Sequence, residues 1–250
     1  RGYILYSERQ QAALVESLVG TVVVEQPVGG GPAPLVKGAS MSVSPGATIY
    51  VDETSEAVVT FYDHSFMRIF SGSTVRLEQL SAPRFAAGRE PNKISLSLLA
   101  GRIRVGTARS LETPLRFLVS TVYAQSLLGE DGSYAVEVIG DRADIAVYRG
   151  EARVQAAGEE QMVRERQRTE VQAGAPPKPA MDVARNLITN SDLEPPLTEW
   201  RVFNDQGTDG GDVDGRAELV LDEGHSAVRL IRTGAQGNHC ETVLEQVINK

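Results

Sequence analysis

Three glycines, each followed by a short alternating run, constrain this chain more than any other feature. Gly20-Thr-Val-Val-Val, Gly101-Arg-Ile-Arg-Val and Gly150-Glu-Ala-Arg-Val share one local pattern. A period of two buries one face of an extended strand and wets the other. The glycine ahead of it supplies the positive φ that turns the chain. Arg102, Arg104 and Arg153 are thereby expected on wet faces. Irregular spacing rules out a fixed-period solenoid and points to similar hairpin units stacked in one β architecture.

The same period runs through most of the chain. "GTVVVEQ", "ATIYVDE", "EAVVTFY", "SFMRIF" and "STVRLEQL" read as strands, and "KISLSLLAGRIRVGTA" as two strands broken at Ala100–Gly101. The expected class is all-β. Gln10 to Leu18, rich in Gln, Ala, Leu and Glu, is the one segment that reads as helix. With the apolar Tyr3, Ile4, Leu5 and Tyr6 before it, residues 1–18 read as a helical stub at the end of a membrane anchor preceding residue 1. Pro176, Pro177 and Pro179 favour an extended, semi-rigid linker over 176–185. Residues 186–250 then read as a second β-rich region of about four strands, too short for a closed sandwich and expected to be truncated.

Charge narrows the partners. Of the formal net charge of −8, the part from Asn186 to Lys250 holds 12 acidic and 5 basic residues. The basic stripe that nucleic acid requires is missing, and an anionic membrane surface would repel the acidic end. Cys240 is the only cysteine, which excludes disulfide frameworks and cysteine-rich zinc sites.

Asp63-His64-Ser65 has the residue types of a hydrolase triad, but adjacent side chains in extended chain point to opposite faces. Flanking strands make the trio a hairpin connection, with His64 at a position suited to glycine. His225 and His239 lack metal-ligand spacing, and nothing marks Cys240 as an activated nucleophile. No acid, base and nucleophile converge, so catalysis is not expected. Asp205, Asp209, Asp212 and Asp214 in a glycine-rich loop form a candidate calcium site; the other reading is a solvated acidic loop. Trp200 and Phe203 are a candidate glycan-stacking pair, weighed against a core-filling role for Trp200. Apart from calcium, no cofactor is expected.

Residues 19–175 resemble a FecR-like domain, named for the bacterial ferric-citrate regulator. "SLVGTVVVEQ" is similar to its opening strand, and Lys37-Gly38, Pro45-Gly46 and Ala57 to Ser65 carry its glycine and D-G-S signature. "SLSLLAGRIRVGT", "FLVSTVYAQSLLGEDGSYAVEV" and "AVYRGEARV" follow in the family's order. Ala47 stands where the family has Asp, His64 where it has Gly, and Val122 where it has Pro. Asn186 to Glu194, with Trp200, resembles the opening of carbohydrate-binding-module-like jelly rolls.

The resemblance implies a FecR-like stacked β-hairpin or β-sandwich domain with a short N-terminal helix, then a partial jelly roll. It also implies a non-enzymatic, membrane-anchored extracytoplasmic regulator that contacts a protein partner in envelope signalling. The alternative is a cell-surface module that binds glycan through the C-terminal region.

Overall fold

The computed structural model describes residues 7–27, 31–85, 90–109, 113–183, 190, 193, 195–205, 213–222, 225–233 and 241–247. The chain divides into two compact units, Arg1–Val183 and Ala184–Lys250. Every regular element among the described residues is a strand.

In unit 1 the chain opens with β1 (Glu8–Gln10), β2 (Ala13–Val19), β3 (Thr21–Glu25), β4 (Ala33–Val36), β5 (Ser40–Val43) and β6 (Thr48–Val51). Next come β7 (Glu56–Thr60), β8 (Phe66–Ile69), β9 (Ser73–Pro83), β10 (Asn92–Gly106), β11 (Leu115–Ser120) and β12 (Gln125–Leu128). β13 (Ser133–Ile139), β14 (Arg142–Arg149), β15 (Glu151–Ala156), β16 (Glu159–Arg164), β17 (Gln167–Gln172) and β18 (Met181–Asp182) complete it.

The helix expected over Gln10 to Leu18 is a correction: its described residues form the end of β1, a short link and most of β2. β2 is hydrogen-bonded on both sides, to β5 and to β7. Ala13, Val15 and Ser17 are buried while Leu14 stands exposed. Helix propensity is worth only tenths of a kcal/mol per residue, roughly 0–0.7. Two-sided pairing and an alternating core face outweigh it.

Two sheets result. The first runs β4-β3-β6-β9-β10-β11-β12-β15-β16, antiparallel except for the parallel β10–β11 pair. The second runs β5-β2-β7-β8-β10-β13-β14-β17-β18 and is antiparallel throughout. β1 lies along the end of β9. β10 serves both sheets and closes them into one barrel-like body.

Inward side chains line up across the strands. Val15, Val59, Met67, Val105, Tyr134 and Val147 form one buried row of the second sheet. Leu80, Ile94, Phe117, Leu128, Ala152 and Val163 form another in the first. Each large apolar side chain so buried contributes about 1.5–3 kcal/mol. Phe117 also meets Phe61 edge to face, with centroids 5.5 Å apart.

The three echoing glycines sit where the chain passes from one sheet to the other. Gly20 lies between β2 and β3, Gly101 inside β10 at its change of sheet, and Gly150 between β14 and β15. Their φ values are 68°, 79° and 88°. A hydroxyl distant in the chain packs against each: Ser55 just before β7, Ser73 at the start of β9, and Tyr134 in β13. Ser55 Oγ accepts from the Thr21 N–H at 3.0 Å and donates to the Thr21 carbonyl at 3.2 Å. Ser73 Oγ does the same for Arg102, at 2.9 and 3.1 Å. Tyr134 Oη donates to the Glu151 carbonyl at 3.1 Å. The corner device is therefore a left-handed glycine plus a hydroxyl that satisfies backbone groups the bend removes from the ladder.

The proline segment is not a free spacer over its described part. The Lys178 N–H donates to the Glu170 carbonyl at 2.9 Å, and Thr169 Oγ1 donates to the Lys178 carbonyl at 2.6 Å. β18 then pairs with β17, and the Val183 N–H reaches the Arg166 carbonyl. Prolines stiffen the segment as expected, but here it lies against β17 as part of unit 1.

In unit 2 the described residues give four strands in two antiparallel pairs. β19 (Arg201–Asp205) pairs with β22 (Glu241–Glu245), and β20 (Arg216–Asp222) with β21 (His225–Ile231). Asn204 ties them together: its Oδ1 accepts from Thr242 Oγ1 at 2.7 Å and from the Gly215 N–H at 3.1 Å.

Candidate protein-contact surface

Asp63-His64-Ser65 forms the turn between β7 and β8. The Phe61 N–H donates to the Ser65 carbonyl at 2.9 Å, closing the hairpin, and His64 takes a φ of 71°. One Asp63 carboxylate oxygen accepts the Ser65 N–H at 3.0 Å and the other the Ser65 hydroxyl at 2.8 Å. Ser65 Oγ in turn accepts the Ala108 N–H at 2.9 Å. Asp63 and Ser65 are thus structural partners, while the His64 side chain stands exposed.

Trp200 is half-buried, and its indole N–H donates to the Asn190 carbonyl at 3.1 Å. Phe203 lies in β19 with the Arg201 guanidinium 5.2 Å from its ring centre. Each aromatic therefore has a local role in unit 2. Asp205 ends β19 and Asp214 precedes β20, while Asp209 and Asp212 lie outside the described residues. No group of three or more metal-ligating side chains occurs among the described residues. His225 begins β21; His239 and Cys240 lie outside the described residues.

What the sequence did not reveal is a cluster on the outer face of the second sheet. Arg68, on β8, lies directly opposite Arg104 on β10. Like charges so placed repel. Arg68 is relieved by an ion pair with Glu56, which lies on β7. Arg104 instead lays its guanidinium over Tyr148, 4.7 Å from the ring centre. Arg102 faces Glu137 across the ladder but rests 4.2 Å from the centre of Phe70. Arg68 is also within 5.2 Å of that ring centre, so Phe70 lies near two cations.

Phe66 stands on the same outer face, 49% exposed, and Tyr148 is 42% exposed. Phe66 covers Gly106: a Cβ there would lie 2.3 Å from the ring. An aromatic ring laid over a cross-strand glycine fills the gap its missing side chain leaves. Alternation alone placed Arg102 and Arg104 outward. Their convergence with Phe66, Phe70 and Tyr148 depends on the register among β8, β10 and β14, which no local pattern states.

Strand addition at the edges is hindered. The Gln26 side chain donates to the Ser42 carbonyl of β5 at 2.9 Å and accepts from the Ser44 N–H at 3.4 Å. On β16, Gln161 Nε2 donates to the Met162 carbonyl at 2.8 Å, and the Arg164 N–H donates to Gln167 Oε1 at 3.0 Å. Pro34 removes a donor from β4, and the proline segment lies along β17. Such devices protect sheet edges from further pairing.

The first sheet's outer face has a shallow depression of about 440 Å³ beside Leu127, Arg116 and Arg153. Glu130 and Glu151 also line it, so its formal charges cancel. The Glu130 carboxylate accepts the Leu115 N–H at 2.6 Å.

No family model matches this chain. No curated protein matches it either. Among solved structures it is similar to two crystal structures, at 2.50 and 1.65 Å, of a protein from Parabacteroides distasonis ATCC 8503 provisionally described as an anti-sigma factor. Sequence identity is 14% in each case, and the TM-scores are 0.42 and 0.43. The match covers 54% of this chain and 59% of the length of those structures.

Proposed function

We propose that this protein is a non-enzymatic, membrane-anchored regulator acting outside the cytoplasm, through protein–protein contact in envelope signalling. The order of FecR-like motifs over residues 19–175 supports the class of function. The single observation that carries it is the face of Phe66, Phe70, Tyr148, Arg102 and Arg104. Exposed aromatics and arginines on a rigid sheet have the composition of protein-contact hot spots.

Gene deletion followed by complementation tests this. Loss of the gene should change transcription of a restricted set of promoters, and the wild-type gene should restore it. Phe66→Ala with Tyr148→Ala, exported and folded by thermal melt, should fail to restore it. Unchanged transcription on deletion would remove the regulatory reading. Full restoration by the variant would move the contact elsewhere.

A further inference from the structure

We infer that the outer face of the second sheet receives an acidic segment of the partner protein, its carboxylates on Arg102 and Arg104 and an apolar side chain against Phe66. The inference rests on the regulator reading only in requiring a protein partner.

The charges carry it. Arg104 has Arg68 as its cross-strand neighbour on one side and Ala135 on the other. The fold thus places no carboxylate directly opposite it. Arg102 does have Glu137 opposite, yet no ion pair joins them and the guanidinium lies on Phe70 instead. A guanidinium stacked on a ring keeps its N–H fork free in its own plane, and that fork matches a carboxylate in bidentate fashion. Stacking also fixes the side chain in advance, which lowers the ordering cost of binding. Arg102 and Arg104 stand two residues apart on one strand, their backbone positions about 7 Å from each other. Alternate residues of an extended acidic segment share a face and repeat at the same backbone spacing. Phe66 stands two residues from Arg68 and covers Gly106 on the neighbouring strand, offering an apolar seat beside the charges.

The glutamine-blocked edges sharpen the point. β5 and β16 spend side-chain amides on edge backbone groups, so partner recognition falls to side chains on a face.

The test uses the full chain, isotopically labelled, titrated with the peptide EDFEDL and with its neutral counterpart QNFQNL. Saturable amide shifts are expected on β8 and β10 for EDFEDL, weakened by added salt, with at most a weak response to QNFQNL. Arg102→Gln with Arg104→Gln should lower the affinity about tenfold or more, and Arg104→Lys should restore only part of it. Equal shifts from both peptides, shifts unaffected by the arginine variants, or no shifts at all would overturn the inference. A short anionic DNA strand that competes as well as EDFEDL would overturn it too, by showing a general anion surface. Loss of promoter control in the Phe66 and Tyr148 variant, together with silent titrations, would leave the regulator reading standing and remove only the acidic partner.

Discussion

At Gly101 two independent demands meet in one residue. Its φ of 79° lies in the left-handed region, and a Cβ there would sit 2.3 Å from Ser73 Oγ and 2.6 Å from Ser73 Cα. Gly140 has a φ of 58° but open space where its Cβ would go. Gly140→Ala should cost about 1 kcal/mol, the left-handed penalty alone. Gly101→Ala should cost about 3 kcal/mol or more, because backbone must move as well. Urea melts of the two variants measure the gap, and equal losses would refute the packing half of the account. His64→Gly runs the other way. The imidazole is exposed at a φ of 71°, and Asp63 holds the turn without it. Stability should hold or rise by up to about 1 kcal/mol; a clear fall would mean the ring makes contacts of its own. Both positions were legible in the sequence, because a turn is set by its own few residues. Ser55, Ser73 and Tyr134 were not, since each serves a corner distant in the chain.

Among elements, β1 and β2 show how far local reading goes. A run rich in Gln, Ala, Leu and Glu argues for helix, and only pairing with β5 and β7 reverses that. β1 is short, and a polar cluster fastens it. Glu8 accepts from Lys93 Nζ at 2.5 Å and from Ser81 Oγ at 2.6 Å, and Lys93 also reaches Glu90 at 2.6 Å. Beside it, burial pushes the Tyr62 phenol far above its usual range, and its Oη donates to the Ser81 carbonyl at 2.5 Å. The Lys93 bond, then the Ser81 bond, hold the Glu8 carboxyl below its ordinary value of 4.5. The bonds to Glu8, then to Glu90, hold Lys93 above its ordinary 10.5. A lowered acid stabilises the fold above its unfolded value and loses that contribution as pH falls through the folded one. A raised base stabilises below its unfolded value and loses that as pH rises through the folded one. The cluster is thus strongest between about pH 5 and pH 10. Glu8→Gln should lower stability by about 1 kcal/mol near neutral pH, since the pair is partly exposed and screened. Thermal melts should show that difference shrinking as pH falls below the ordinary value of 4.5 and through the lowered folded one, where the wild-type carboxyl becomes protonated as well. A gap that persists unchanged there would mean Glu8 acts by packing rather than by charge.

For the whole molecule, the all-β class was readable from alternation, but the limits of the folded body were not. Sequence composition set its edges at residues 19 and 175, where helix propensity stops and prolines begin. Pairing places β1 and β2 inside it, and the chain from Lys178 to Val183 with them. The reason is that an open sheet edge is costly, and the segment nearest in the chain can cover it. A chain ending at Val183 should therefore fold by itself with a single cooperative melt. One ending at Ala175 loses the Lys178 N–H to Glu170 bond, the Thr169 to Lys178 bond and the β17–β18 pairing. At about 0.5–1.5 kcal/mol for each bond, the loss should reach about 2–4 kcal/mol. The uncovered β17 should also make the shorter chain self-associate as its concentration rises. Paired urea melts and sedimentation of the two chains would decide the matter. If the two are equally stable and equally monomeric, the proline segment is a bystander, and the boundary read from sequence composition is the better one.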